Sequence, residues 1–246
     1  RDVAPSRGLG DVYKRQVSTT RVDLTDLTDT QLYEVQVAAY RGNTAFRGPY
    51  SKVNAKHALP GTVTGLKTQK TATGSITLEW NKKPGADGYV VYQYIDAKKQ
   101  TKRLATTTAR SFVFKGSGAK PGTKYYFYVA PYTVDSKTKE GSKGTQLATT
   151  TRPTATKCTA AKSAKKQQIT VHWNKVKCNG YAVQYSTKKN FSGDKKTLYV
   201  NSGKATGNIK TAKGGRTYYV RLRPYTTVGN ARYYGSYTAA RAVRVK

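Results

Sequence analysis

The chain has 246 residues, with 45 Lys and Arg against 12 Asp and Glu, and a formal net charge of +33. It contains no run of about 18 apolar residues, so we expect no membrane insertion, and its two Cys are too few for a four-cysteine zinc site. Two His and few carboxylates offer little general acid–base chemistry. The composition disfavours an enzyme, predicts no cofactor, and favours a partner that carries negative charge.

The first residues differ from everything that follows. Residues 1–16 fit no repeat, and their ending, DVYKRQ, resembles a translated sequencing-adaptor scar. We expect this segment to be non-native. A flexible linker is the alternative.

Three sequence segments recur with a period of 92 or 93 residues. ITLEW at 76–80 returns as ITVHW at 169–173, and the GY dipeptide at 88–89 returns at 180–181. A third segment, which opens and closes on Tyr, occurs three times, at 33–40, 125–132 and 218–225. A period this long fits a complete small domain used in tandem.

Within each repeat, apolar and polar residues alternate. Ile76, Leu78 and Trp80 fall on one side of a strand, with Thr77 and Glu79 on the other. A period of two predicts half-buried strands, and Pro-Gly and Gly-Gly pairs mark the turns between them. About seven short strands in each 92 residues predict an all-β chain of tandem antiparallel β-sandwiches.

The spacing of these motifs resembles the fibronectin type III family, whose domains are immunoglobulin-like sandwiches. The resemblance implies that Trp80 and Trp173 are buried between the sheets. It also implies that Tyr33, Tyr125 and Tyr218 are corner tyrosines, whose hydroxyls bond to the backbone just upstream. The GYAVQYSTKKNFSGD stretch resembles repeats of surface or secreted proteins from Gram-positive gut bacteria.

The resemblance also sets the domain boundaries. Pro60-Gly61 and Arg152-Pro153 mark the joins, which predicts complete repeats at 61–152 and 153–246. Residues 17–60 match only the end of a repeat, about strands E to G. A piece of that size cannot enclose a core, so Leu32, Val35 and Val37 are expected to be exposed or to dock on a neighbour.

The last repeat is the first candidate for a binding site, because residues 154–246 carry 20 basic residues and only one acidic residue, Asp194. Strand alternation points Arg221 and Arg223 outward. In the family's topology they share a sheet with several neighbouring cations, and the group could bind a polyanion: Lys188, Lys189, Lys195, Lys196, Arg216 and Arg232. A solvated surface that only confers solubility is the alternative.

Aromatic residues form a second candidate. Tyr126 and Tyr128 point outward on a strand of the middle repeat, with Tyr92 on the adjacent strand, and exposed rings can stack on sugars. Tyr233 and Tyr234, with Tyr237, could form a contact tip in the last repeat. Cross-strand pairs that only stabilise the sheet are the alternative.

The resemblance places Cys158 and Cys178 at one pole of the last repeat. A disulfide there would close a loop of about 20 residues, worth about 3 kcal/mol. An exported protein favours the disulfide, and two separate thiols are the alternative.

Domains of this family are mostly non-catalytic, so the resemblance implies an extracellular, secreted or wall-associated spacer or adhesion module. We expect it to contact other domains of its own polypeptide and to bind acidic glycans, teichoic acid or a glycosaminoglycan. The alternative is an accessory region of an extracellular carbohydrate-active enzyme or peptidase. A specific nucleic-acid partner is not expected, because no reader helix or nucleic-acid-binding fold is visible.

Overall fold

A computed structural model of the protein describes residues 14–135, 137–210 and 212–246, without the side chains of residues 43–46. Most of the segment expected to be non-native, residues 1–13, lies outside the described residues. The chain divides after Ala58 into two compact units. In the described residues the regular structure is almost entirely antiparallel strand, so the predicted all-β fold class is confirmed.

The strands fall into three groups along the chain. The first unit contains β1 (Leu32–Val35), β2 (Tyr40–Arg41), β3 (Asn43–Arg47) and β4 (Asn54–His57). The second unit begins with the middle domain, which comprises β5 (Lys67–Ala72), β6 (Ser75–Glu79), β7 (Gly88–Ile95), β8 (Gln100–Thr107), β9 (Ser111–Lys115), β10 (Lys124–Val134), β11 (Thr138–Glu140), β12 (Leu147–Thr150), and 3₁₀ turns at Asp96–Lys98 and Gly116–Gly118. The last domain comprises β13 (Cys158–Lys162), β14 (Ile169–Trp173), β15 (Gly180–Ser186), β16 (Lys196–Asn201), β17 (Thr206–Ile209), β18 (Thr217–Val228), β19 (Ala231–Tyr234) and β20 (Arg241–Arg244).

The middle and last domains have the same strand order. A three-stranded sheet, β5-β6-β9 in one and β13-β14-β17 in the other, faces a larger sheet. The larger sheets run β8-β7-β10 and β16-β15-β18, and two short strands add to the outer edge of the long strand in each. Every described pair is antiparallel. The predicted pair of tandem sandwiches is therefore confirmed.

The alternating pattern buries one side of each strand. On β6, Ile76 and Leu78 are fully buried while Thr77 and Glu79 are half-buried. Trp80 and Trp173 are 4% and 3% exposed. Each indole lies against the tyrosine of the GY motif, with ring centroids 5.5 Å apart in the middle domain and 5.1 Å apart in the last.

The corner tyrosines bond to the backbone five to seven residues upstream. The Tyr125 hydroxyl donates to the carbonyl of Gly118 at 2.6 Å and accepts the N–H of Lys120 at 2.7 Å. The Tyr33 and Tyr218 hydroxyls each accept a backbone N–H five residues upstream, at 2.8 and 3.1 Å. These bonds tie the turn before each long strand to that strand.

The first unit contains only part of this architecture. Strand β1 pairs with β4 and β2 pairs with β3, which matches strands F and G. The expected strand E is missing, because residues 14–31 contain no strand. Val35 and Val37 hold the positions that Phe127 and Val129 hold in the middle domain, yet they are 37% and 67% exposed. The described residues of this unit provide no facing sheet, which accounts for the expected exposure of both side chains.

The middle and last domains also contact each other through side chains. The Thr226 hydroxyl donates to the carbonyl of Thr151 at 3.2 Å, and both residues are buried. Lys177 Nζ donates to the Thr123 hydroxyl at 3.0 Å. A Cβ added at Gly122 would lie 2.1 Å from the carbonyl oxygen of Lys177. This close packing limits bending at the junction.

Candidate functional site

The outer face of strand β18 carries two arginines side by side. Val220 and Leu222 are fully buried, so the alternating Arg221 and Arg223 face outward. In the register of the sheet Arg221 lies opposite Gln184. Its Nε and one Nη both donate to Gln184 Oε1, at 3.1 and 3.0 Å. The outward orientation predicted from alternation is what the structure has.

These two guanidinium groups are stacked between aromatic rings. The Arg221 Cζ lies 4.0 Å from the ring centroids of both Phe191 and Tyr237. The Arg223 Cζ lies 4.3 Å from Tyr237 and 3.7 Å from Tyr234. The five side chains form a continuous stack of alternating rings and cations, which we call the arginine ladder. Cation–π contacts of this kind contribute about 0.5–2 kcal/mol each.

A third arginine extends the stack towards the far end of β18. Arg232 lies on β19, with its Cζ 4.5 Å from the ring centroid of Tyr199 and 5.5 Å from that of Tyr225. The hydroxyls of Tyr199 and Tyr234 are 3.2 Å apart. The pKa of Tyr234 is raised, mainly by burial and secondly by this contact with Tyr199. Tyr199 is 47% exposed, so this end of the stack is open to solvent.

The loop between β15 and β16 places Phe191 at the other end of the ladder. Asp194 accepts hydrogen bonds from the hydroxyls of Ser186 and Thr187 and, at 3.0 Å, from the Thr187 backbone N–H. These bonds lower the pKa of Asp194 to about 2, the Ser186 hydroxyl having the largest effect. Phe191 has a φ of +58° and is only 4% exposed. The last domain's one carboxylate therefore holds the loop that covers Arg221.

The predicted lysines lie at one end of the last domain. The β15–β16 turn is close to the start of β18, because Ser186 pairs with Tyr219. Arg216 precedes β18 at the same end. The N–H of Gln167 bonds to the carbonyl of Lys246 at 3.0 Å, which brings the turn before β14 and the end of the chain to this end as well.

We call this end the basic pole. Its twelve exposed cationic residues are Lys162, Lys165, Lys166, Lys188, Lys189, Lys195, Lys196, Lys210, Lys213, Arg216, Arg244 and Lys246.

Arg216 and Arg232 do not lie close together. Arg232 pairs with Thr227, eleven residues beyond Arg216 along the same strand direction, which corresponds to about 36 Å. The predicted cations thus form a stripe that starts at the basic pole and follows the outer face of β18, rather than one compact patch.

The aromatic residues of the middle domain pack mainly on each other and on polar neighbours. Tyr94 meets Tyr126 and Tyr128 edge to face, with ring centroids 6.4 Å apart in both cases. The Tyr92 hydroxyl donates to the Glu140 carboxylate. The pKa of Tyr92 is raised to about 12, mainly by burial and secondly by this hydrogen bond. Tyr128 holds the position that Arg221 holds in the last domain. This face therefore has an aromatic ring where the last domain has Arg221.

Tyr233 takes no part in the arginine ladder. It pairs with Thr226, and its carbonyl accepts the Thr226 hydroxyl at 3.5 Å. Strand alternation puts its side chain on the side of β19 opposite Arg232 and Tyr234. Of the three tyrosines expected at the contact tip, Tyr234 and Tyr237 stack on arginine and Tyr233 does not.

No protein-family model matches the chain. Among solved structures, it is similar to the FN1–FN3 domains of chicken CNTN1, at 18% identity over 90% of this chain and 80% of that one, with a TM-score of 0.41. It is also similar to a two-domain fibronectin type III segment of chicken tenascin, at 14% identity over 75% of this chain and 99% of that one, with a TM-score of 0.45. Both TM-scores are below 0.5, so the assignment of the fold rests on the strand order and register of this chain itself.

The expected disulfide is not formed, because both cysteines are free thiols. Cys158 lies on β13 opposite Trp173, and its thiol points to the carbonyl of Ala160 at 3.6 Å. Cys178 packs on the same core, where its thiol contacts Tyr181. Burial raises the pKa of both thiols, so each is held in its neutral form by a different set of neighbours.

The described residues show little that suggests other chemistry. No three His, Cys, Asp or Glu side chains among them are grouped so that they could hold a metal ion. In the same part of the chain, no helix has both the length and the apolar character needed to span a bilayer.

Proposed function

We propose that the chain is a non-catalytic spacer and adhesion module of a surface or secreted bacterial protein. In this proposal the last domain binds acidic polymers through the arginine ladder and the basic pole. The observation that carries the proposal is the ladder, in which Arg221 and Arg223 are fixed between rings on an outer face. A surface that served only solubility would not need oriented cations.

The charge of the last domain supports this proposal. Among the described residues, no ion pair lies within this domain. Its single carboxylate, Asp194, is bonded to hydroxyl and backbone groups instead. Fields from exposed cations extend about 8 Å at physiological salt, so the cations of the stripe reinforce one another and attract a polyanion.

The shape of the site favours a linear ligand. A stripe of about 36 Å along one strand suits a chain with regularly spaced negative groups, such as an acidic glycan, a teichoic acid or a glycosaminoglycan. Each contact adds modest affinity, and the whole gains from multivalency. Guanidinium groups cover the ring faces of Tyr237, which disfavours base stacking and therefore a nucleic-acid partner.

The junction between the middle and last domains supports the spacer role. Contacts such as Thr226 with Thr151 and Lys177 with Thr123 keep the binding domain at a fixed angle to the domain before it. The same arrangement would serve as the accessory region of an extracellular carbohydrate-active enzyme or peptidase, with the catalytic domain elsewhere in the polypeptide. Sequencing of the neighbouring coding region distinguishes the two roles.

The test is binding of the full chain to heparin and to poly(glycerol phosphate) at increasing NaCl. Replacing four pole lysines with Gln (Lys188, Lys189, Lys195 and Lys196) should weaken binding. It should also lower the slope of log Kd against log [NaCl] by about one for each lysine that binds an anionic group of the polymer. The matched control replaces four exposed lysines of the middle domain with Gln (Lys82, Lys98, Lys102 and Lys115). Salt-independent binding, or the same weakening in both variants, would contradict the proposal.

A further inference from the structure

The arginine ladder does more than place charge on a surface, because it also fixes the orientation of each guanidinium plane. Tyr237 lies within 4.0 Å of Arg221 and 4.3 Å of Arg223. These arginines are two residues apart on one strand, about 7 Å along it. One guanidinium therefore lies on each side of the Tyr237 ring, and the three planar groups are held in series.

The hydrogen bonds of the ladder leave donors for an external ligand. Those described for Arg221 use Nε and one Nη, both on Gln184. Arg223 has a buried Nε with no acceptor among the described residues, so ring stacking holds this guanidinium in place. The remaining N–H groups form planar pairs of donors, which match the paired oxygens of a sulfate, phosphate or carboxylate group.

Orientation before binding changes the affinity. A flexible Lys or Arg must give up rotamer freedom when it binds, whereas a side chain already fixed by the fold does not. Here Phe191 closes one end of the ladder and Tyr234 closes the other. The loop that carries Phe191 is in turn held by Asp194. These residues act on the arginines and need not touch the ligand.

We propose that Phe191, Tyr237 and Tyr234 are positioning residues, which turn Arg221 and Arg223 into a preorganised pair of sites for successive oxyanions on one linear polymer. The ligand chemistry is sulfate or phosphate, from a sulfated glycan or from a phosphodiester polymer. This inference rests on the proposed function. It adds that guanidinium geometry, and not charge alone, determines affinity.

The test is a substitution that keeps the charge. The variant R221K/R223K has the same net charge as the wild type but lacks planar groups that can stack and bind in pairs. The matched control is R110K/R241K, which makes the same change at two exposed arginines outside both the arginine ladder and the basic pole. Kd is measured for full chains against a heparin oligosaccharide and against poly(glycerol phosphate), over a range of NaCl concentrations.

We expect R221K/R223K to bind about tenfold more weakly, with an unchanged salt slope, while R110K/R241K stays within twofold of the wild type. Comparison of the two polymers tells sulfate from phosphate as the preferred oxyanion. If R221K/R223K binds as well as R110K/R241K, the positioning role is wrong although polyanion binding stands. If the wild type binds neither polymer, the proposed function fails as well.

A second pair of variants separates positioning from folding. Tyr237→Phe keeps the ring and should keep wild-type affinity, whereas Tyr237→Leu removes the ring shared by both arginines and should weaken binding to the same extent as R221K/R223K. Thermal unfolding shows whether each variant is folded at the assay temperature. Wild-type affinity in Tyr237→Leu would overturn the inference.

Discussion

Gly180 opens the GY strand of the last domain, where the ring of Tyr225 lies directly over it. A Cβ at this position would lie 2.5 Å from Tyr225 Oη and 2.8 Å from the carbonyl oxygen of Val200. Tyr225 is 8% exposed, so its ring has little room to move, and the Val200 carbonyl belongs to the adjacent strand β16. Gly180→Ala should therefore destabilise the last domain.

The magnitude follows from two opposing effects. Overpacking of this kind costs about 1–3 kcal/mol, and the reduced freedom of the unfolded chain offsets about 0.4–1 kcal/mol of that. A net loss of about 1–2 kcal/mol corresponds to a fall of about 4–16 °C in the unfolding temperature of a domain of this size. Gly88→Ala should cost less, because the three nearest atoms there belong to the Tyr132 side chain, which can shift.

Differential scanning calorimetry of the full chain provides the measurement. The control is Gly203→Ala, where the added Cβ would meet nothing within 4 Å and the unfolding temperature should be unchanged or slightly higher. If Gly180→Ala unfolds at the same temperature as Gly203→Ala, the tyrosine ring does not cover the GY glycine, and the explanation of that motif is wrong.

Two further predictions concern titratable groups. Since the pKa of Asp194 is lowered to about 2 in the folded domain, from an ordinary value of 3.8, its contribution to stability is present above pH 4 and is lost as the pH falls towards 2. Urea unfolding should show Asp194→Asn less stable than the wild type at pH 6, with the difference disappearing near pH 2; a difference that stays constant would contradict the role given to its hydrogen bonds. The neutral thiols of buried Cys158 and half-buried Cys178 should react slowly with Ellman's reagent in the native chain and give two equivalents in guanidinium chloride without reductant. No reaction in the denaturant would indicate a disulfide.

Much of the fold could be predicted because the relevant signals are local. Alternation of apolar residues is a property of each strand, so the burial of Trp80 and Trp173 and the outward position of Arg221 and Arg223 followed from short segments. The strand E expected in residues 17–60 is the exception. A short strand there would need partner strands that the described part of the first unit does not provide.

The arginine ladder could be predicted only in part, because it depends on contacts between distant segments. Phe191 lies in a loop without periodicity, and its position depends on a positive φ and on the bonds of Asp194. The separation of Arg216 from Arg232 follows from the twelve-residue length of β18, which the repeat pattern did not show. The predicted disulfide between Cys158 and Cys178 was wrong for a related reason. Two cysteines at the same end of a domain do not necessarily have thiols that face each other.

The most direct test of the account is whether the guanidinium groups of the last domain are stacked on rings and bind oxyanions there. Nuclear magnetic resonance of the arginine Nε–Hε groups measures both properties during titration with a heparin oligosaccharide. We expect the Arg221 and Arg223 signals to lie upfield of those of Arg241 and Arg244, because of the adjacent rings, and to move most as the oligosaccharide is added. Signals of Arg221 and Arg223 that coincide with those of Arg241 and Arg244, and do not respond to the oligosaccharide, would contradict the account.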